Sequence, residues 1–518
     1  MKKRTLLSLL YAAFLLLSVP TYAGNGLPII PKPLNVTTSG EYISMNKSLT
    51  IYVSPKVGLN EAFVRSLFAE IGVQTVFVKA KRKAQLTLKT GKCFSKNSEA
   101  YTLSVDQKGK MKAEANTKNG LIYSLESLRQ IIQNHNGQYQ VPCCNIQDEP
   151  AFPWRAYMQD ESRHFQGMET VKKLLDEMTR LKLNTFHWHL VDDQGWRIEI
   201  KKYPLLTSRG SKRDYSNWVT PEEWNQKYPD RKTYYTQDEI REIVLYAANR
   251  GIKVIPEIEI PGHSSAAIMS YPWLGTSNIY NVTNPKVETF FHDVLDEIIN
   301  LFPSKIIHIG GDEADYSIWK NDPQIVQFMK DNNIPTPADL QLWAINRVSN
   351  YLTSKGCRMM GWNEITGDNI RNEANREAGQ SEKLAPGTIV HFWDGAITLV
   401  NKAVDKGYDV VNSNRLFTYL DYDYNTTSLE KAYSFNSIPE GLAKQDESKI
   451  LGFGCQMWGE RTPTAERVYQ QVFPRIAALA ECGWTKNNQK DFKDFMDRFS
   501  TTLEPFWKAN GFINTQQY

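Results

Sequence analysis

From Arg155 onward the sequence repeats one alternation. A short strand-like run is followed by a stretch whose apolar positions recur at helical spacing. The strand candidates are Arg155–Gln159, Thr185–Leu190, Lys253–Glu257, Ile306–Ile309, Arg358–Gly361, Ile389–Phe392, Asp409–Val411 and Leu451–Gln456. Helical patterns such as Glu169–Lys182, Gln237–Arg250, Val287–Leu301 and Asp339–Ser354 lie between most of them. Strands joined through helices pair in parallel, so the pattern predicts an α/β fold with both sheet faces buried. Eight units over about 350 residues predict a (β/α)8 TIM barrel. A doubly wound open sheet is the rival, and the barrel is preferred on strand count and on where the polar groups fall. A closing helix is expected over Phe492–Trp507.

The chain divides at Asp148-Glu149-Pro150-Ala151-Phe152-Pro153, where two prolines interrupt regular structure. Residues 24–150 read as a small α+β domain, with strands at Leu49–Val53, Gln85–Leu88 and Tyr101–Val105 and helices near Asn60–Ile71 and Gly120–Asn134. Residues 151–518 form the barrel. Residues 1–23 read as a secretory signal: Lys2, Lys3 and Arg4 precede the apolar run Leu6 to Val19, and Thr21-Tyr22-Ala23 supplies small residues for cleavage. Export to the periplasm or outside a bacterial cell is expected, with no membrane span once the leader is removed. Its removal lowers the formal charge from +4 to +1 by taking away three basic residues. A near-neutral chain offers no electrostatic case for nucleic acid or anionic lipid. The six cysteines, including the adjacent Cys143 and Cys144, match no zinc spacing and read mostly as buried thiols.

An active site in such a barrel sits at the carboxyl ends of its strands. There the sequence places Asp160 and Arg163, then Asp192, Asp193 and Trp196, then Glu259 and His263. Asp312 and Glu313 follow strand four, Trp362 and Glu364 strand five, Trp393 and Asp394 strand six, Tyr419 and Asp421 strand seven, Trp458 and Glu460 strand eight. Carboxylates and arginine suit ring hydroxyls, and aromatic faces suit the C–H face of a sugar. The sharpest local feature is His308-Ile309-Gly310-Gly311-Asp312-Glu313. Neighbouring strand residues point to opposite faces, so two carboxylates can share one ligand only if the glycines bend the chain out of strand geometry. Close carboxylates repel, which lets one hold its proton, and a pKa raised to roughly 6–7 suits a general acid.

These runs resemble the family 20 glycoside hydrolases, the β-N-acetylhexosaminidases. The resemblance rests on Asp160-Glu161-Ser162-Arg163-His164-Phe165, Phe186-His187-Trp188-His189-Leu190-Val191-Asp192-Asp193, Pro256-Glu257-Ile258-Glu259-Ile260-Pro261-Gly262-His263, the Gly-Gly-Asp-Glu run, Gly361-Trp362-Asn363-Glu364, Tyr419-Leu420-Asp421 and Met457-Trp458-Gly459-Glu460. It covers nearly the whole chain beyond the leader. It implies an exo-acting hydrolase that removes terminal GlcNAc or GalNAc from glycans with no cofactor, through an oxazolinium formed by the substrate's own acetamido group. By resemblance Glu313 is the acid and then the base, Asp312 steadies the acetamido N–H, and Tyr419 hydrogen-bonds the acetamido oxygen. Trp362, Trp393 and Trp458 enclose the sugar, while Arg163, Asp421 and Glu460 hold hydroxyls. Asp192, His263 and Glu259 support the site. Glu259 departs from the family, which commonly carries Asp there; its longer arm can still reach His263, and the network around that histidine stays open.

Two alternatives stay open at this stage. His187 and His189 lie on one strand face, as metal ligands would in a metal-dependent hydrolase. A glycan-binding protein that has lost turnover would keep the same pocket. The preferred epimer, the natural glycan and the oligomeric state are not legible in the sequence.

Overall fold

A computed structural model describes residues 26–369, 378–379 and 383–514. The expected leader 1–23 and most of the Thr366–Lys383 stretch lie outside them. Among the described residues no helix is long and apolar enough to cross a membrane.

The first domain is richer in strands than its sequence suggests. Eight strands, β1 (Asn35–Met45), β2 (Ser48–Val53), β3 (Gln74–Phe77), β4 (Leu86–Thr90), β5 (Tyr101–Val105), β6 (Met111–Ala115), β7 (Gln133–His135) and β8 (Gln138–Asp148), form one mixed sheet. Its order is β1-β8-β5-β6-β4-β2-β3, with β7 paired to β8. Helices Glu61–Ala69 and Lys118–Ile131 bury Phe63, Val64, Leu67 and Phe68, and Leu121, Leu125 and Leu128. The first of them starts where Asn60 accepts a hydrogen bond from the Phe63 N–H.

The second domain is a closed barrel of eight parallel strands: Trp154–Asp160, Thr185–His189, Lys253–Glu257, Ile306–His308, Arg358–Trp362, Ile389–Phe392, Asp409–Asn412 and Ile450–Met457. The last pairs with the first and closes the ring. Alternation sorts the side chains. Phe186 and Trp188 join the apolar layer under the helices, so their neighbours His187 and His189 face the interior. The interior is layered. At the amino-terminal end Trp154, Ala156, Ile255, Ile306, Met360, Ile389 and Val411 form a dry plug. Above it come His187, Glu257, His308, Trp362 and His391, and the rim carries Asp160, His189 and Trp393. Outer helices begin where the sequence caps them: Thr236 and Glu239 form a reciprocal capping box at Gln237–Ala248, and Thr336 caps the Asp339 N–H at Pro337–Ser354.

The expected closing helix is two, Phe492–Thr501 and Leu503–Ala509. Pro505 causes the break, since it lacks an N–H and its ring would meet the Thr501 carbonyl in a continuous helix. All six cysteines are free; five are buried and Cys93 is partly exposed. A polar seam joins the domains. Arg155, fully buried, pairs with Glu99 at 2.8 Å. Lys182 pairs with Asp148 at 3.0 Å, and the Trp484 indole N–H donates to Asp148 at 2.9 Å.

Candidate active site

The site rests on one buried carboxylate. Glu257 ends the third barrel strand. Its Oε1 stands 2.8 Å from His308 Nδ1 and accepts the Trp362 indole N–H at 2.9 Å. Its Oε2 stands 2.7 Å from both His187 Nε2 and His189 Nδ1. Burial opposes its charge, but His308, His189 and His187 outweigh that and hold the carboxyl well below its usual range. Burial pushes His308 down to about 4, despite Glu257, so that imidazole is neutral. His189 goes the other way. Burial disfavours its charge, yet Glu257 and Asp192 hold it well above the usual histidine value. His187, Glu257 and His308 stand close enough to share a cation. Around them His189 stands 2.7 Å from Glu257 and 3.0 Å from Asp192, and the Trp362 N–H donates to the other Glu257 oxygen. The His-x-His pair is split: His189 bridges Glu257 and Asp192, while both ring nitrogens of His187 lack a hydrogen-bond partner among the described residues.

Above this layer the fourth strand stops at His308, and the chain turns sharply. Gly310 and Gly311 take φ of 65° and 99°, and Glu313 takes 48°. Both glycines are required: a Cβ on Gly310 would fall 1.7 Å from Glu259 Oε2, and one on Gly311 2.6 Å from Ile365 Cγ2. The turn brings both acidic side chains to one imidazole, with His263 Nε2 lying 3.7 Å from Asp312 Oδ2 and 3.8 Å from Glu313 Oε2. His263 itself has φ of 49° in the Pro-Gly-His turn. Its Nδ1 faces Asp192 at 3.3 Å and Asp193 at 3.6 Å. Asp192 also pairs with Arg163 at 2.8 Å. Burial works against the Asp192 charge, but Arg163 and His263 hold it ionised far below the usual range.

The acidic pair is electrostatically unequal. Asp312 is buried, and Glu313 is part-exposed, with 42% of its side chain open. Burial pushes the Asp312 carboxyl up; His263 draws it down and Glu313 pushes it up again, leaving it at about 6. Its Oδ1 is buried without a hydrogen-bond partner among the described residues, which leaves an acceptor on the wall of a cavity of about 600 Å³.

Asp312, Glu313, Arg163, His189, Asp192, Glu259, His263, Trp393, Tyr419, Asp421, Trp458 and Glu460 all line that cavity. Trp393 and Tyr419 stack with centroids 6.2 Å apart. Trp362 lies a layer deeper, 5.8 Å from the Trp458 ring and 4.2 Å from His391, anchored by Glu257. It backs the aromatic wall. Arg163 is fixed by Asp160 at 3.2 Å, Asp192 and the Gln194 Oε1 at 3.0 Å, with Trp458 beneath its guanidinium at 5.0 Å. At the same end burial, and then the charge of Glu460, push Asp421 up to about 7.

One expectation is corrected. Glu259 does not extend to His263; it approaches His189 at 3.7 Å and packs into the space that Gly310 leaves. His263 instead faces Asp192 and Asp193 through Nδ1 and Asp312 and Glu313 through Nε2. Burial, Glu257 and Asp312 push Glu259 well above the usual range, which makes it a neutral acid in the wall. Sequence reasoning also passed over Glu257 and the wall residues Tyr215, Arg415, Tyr422 and Arg461. The alternation of the third strand places Glu257 indoors, and a lone inward carboxylate among histidines was the available clue.

The glycosyl hydrolase family 20 catalytic domain matches residues 152–487, and domain 2 of the same family matches 26–149. The chain is similar to a beta-hexosaminidase of Porphyromonas gingivalis, 33% identical over 523 residues that cover 93% of this chain and 63% of that protein. A beta-hexosaminidase of Vibrio furnissii is 35% identical over 413 residues, 74% of this chain and 65% of that protein. The chain therefore spans just under two thirds of each of these relatives. Among solved structures, an exo β-N-acetylglucosaminidase of Vibrio harveyi in complex with N-acetylglucosamine matches with a TM-score of 0.82 at 28% identity, over 94% of this chain and 78% of that one.

Proposed function

The chain belongs to glycosyl hydrolase family 20, and from that premise we propose that it is an exo-acting β-N-acetylhexosaminidase, releasing terminal GlcNAc or GalNAc with retention of configuration. The observation that carries this is the convergence of Asp312 and Glu313 on one cavity, the first with an unpartnered buried oxygen. In the proposed reaction the 2-acetamido oxygen attacks the anomeric carbon. Glu313 gives a proton to the departing glycosidic oxygen as that bond breaks. The ring that closes is an oxazolinium, and its positive charge lies beside ionised Asp312. Tyr419 donates to the attacking oxygen and keeps it aimed. Glu313, now a carboxylate, takes a proton from water, whose oxygen opens the oxazolinium from the same face that the leaving group vacated. No protein nucleophile is needed, so positioning and charge supply the rate. Arg163, Asp421 and Glu460 hold the far end of the sugar, which supports removal of terminal residues. The basic, apolar opening of the sequence supports export.

The test is a series of chromogenic N-acetylglucosaminides with zero to three fluorines on the acetamide methyl. Fluorination weakens the acetamido oxygen as a nucleophile, so kcat falls steeply along the series. A flat series, or a glycosyl group trapped covalently on the protein, would overturn the proposal.

A further inference from the structure

The His263 ring is aimed before anything reaches its Nε2. Its Nδ1 faces the Asp192 carboxylate at 3.3 Å and the Asp193 carboxylate at 3.6 Å. Both carboxylates are themselves fixed. Asp192 is tied to the Arg163 guanidinium at 2.8 Å, and Asp193 Oδ1 accepts the Ser265 N–H at 3.0 Å and its hydroxyl at 2.7 Å. Gly262 lets the Pro-Gly-His turn press on the turn that carries the acidic pair, since a Cβ there would fall 3.3 Å from the Asp312 carbonyl oxygen and the Ala314 Cα. A carboxylate that backs one ring nitrogen of a histidine, so that the other is presented outward, is how proteins orient an imidazole toward a metal ion.

The spacing on the Nε2 side suits such an ion. Nε2 lies 3.7 Å from Asp312 Oδ2 and 3.8 Å from Glu313 Oε2, and one atom from each of the three side chains lies within 4.8 Å of the others. Both printed distances are too long for hydrogen bonds. Three ligand atoms at about 2.1 Å from a tetrahedral ion stand about 3.4 Å apart, so the side chains need move by only a few tenths of an ångström. The charge also suits a cation. Asp192, Asp193, Asp312 and Glu313 surround one imidazole, and the Arg163 guanidinium alone pairs with them directly. Asp312 is 8% exposed, and its Oδ1 has no hydrogen-bond partner among the described residues. All three side chains line the cavity of about 600 Å³, so an ion can enter from solvent and keep water as its remaining ligand.

We infer that His263, Asp312 and Glu313 form an inhibitory site for a divalent transition-metal ion, zinc by its donor set of one imidazole and two carboxylates. The ion takes the place of the proton on His263 Nε2, which leaves to solvent, and it occupies both carboxylates. It acts as an inhibitor and not as a cofactor, because the acidic pair cannot serve ion and substrate together. Binding needs only the three side chains, whatever reaction the cavity performs.

Calorimetric titration of the full chain with zinc chloride, at neutral pH in a buffer that does not chelate, reads the site without turnover. One zinc per chain is expected, and magnesium, which takes oxygen ligands and keeps its waters, does not compete. His263→Asn, a residue that tolerates the left-handed backbone at this position, and Asp312→Asn each remove one ligand and weaken zinc by at least about tenfold. In steady-state assays on a chromogenic N-acetylglucosaminide, zinc raises the apparent KM, which doubles when free zinc equals the calorimetric Kd. It leaves kcat unchanged, and EDTA reverses it. No binding by the unaltered chain, zinc held equally well by both variants, or a fall in kcat at constant KM would overturn the site. Intact zinc binding in a protein that cleaves no N-acetylhexosaminide would overturn the hydrolase reading alone.

Discussion

The proposed reaction requires Asp312 as a carboxylate, and the structure sets where that form appears. Burial raises its carboxyl, His263 lowers it, and Glu313 raises it again, to about 6. A group raised in this way is ionised above that value and loses its charge as the pH falls through it. At pH 5 about a tenth remains ionised, and at pH 4 about a hundredth. The acid limb of kcat/KM on a chromogenic N-acetylglucosaminide should therefore bend near pH 6, falling about tenfold by pH 5. In the complex the acetamido N–H donates to Asp312 and favours its ionised form. The corresponding limb of kcat should then lie at lower pH than that of kcat/KM. Asp312→Asn keeps the shape but offers no charge to the oxazolinium, so kcat falls by about 10²–10³ and the bend near 6 disappears. Steady-state rates from pH 4 to 8, for both proteins, decide it. If kcat/KM is flat across pH 4 to 7 in the unaltered enzyme, or if the Asn variant keeps the same bend, the role assigned to Asp312 is wrong.

Two further perturbations test the frame around the pair. Glu257→Gln removes the buried charge that balances His189 while keeping the side chain's shape. Unfolding free energy by urea titration should fall by about 3–5 kcal/mol, and a loss under about 1 kcal/mol would show that Glu257 does not balance His189. Glu99→Ala strands the buried Arg155 guanidinium at the domain seam. A loss of about 3 kcal/mol in the same titration is expected, with kcat and KM unchanged, and an altered kcat would refute a purely structural seam.

The barrel was legible because its strands satisfy two local demands at once. Runs such as Lys253–Glu257 and Ile389–Phe392 are apolar enough to be buried on both faces, and helices with their own capping residues separate them. The first domain was less so. Its β1 is an edge strand exposed along most of its length, so no apolar alternation announces it. Likewise Pro505 divides the final helix in a way that periodicity alone does not register. In the site, Asp312 and Glu313 could be found from the glycines before them, because a sharp turn after a buried strand is a local property. Glu257 has meaning only once three other strands bring His187, His189, His308 and Trp362 around it, and the reach of Glu259 depends on the empty volume at Gly310. Tyr215 comes from a segment without periodicity, whose course is set by distant partners such as Arg163 and His164.

His263 and Glu313 both hold a backbone conformation that ordinary residues adopt at a penalty on the order of 1 kcal/mol, at φ of 49° and 48°. Glycine would adopt it freely. At His263 that gain is outweighed by the buried carboxylates it faces, but a breeder of heat-resistant variants, screening only for survival after warming, would be drawn to glycine at the exposed Glu313 and would harvest sturdier proteins stripped of the proposed proton donor.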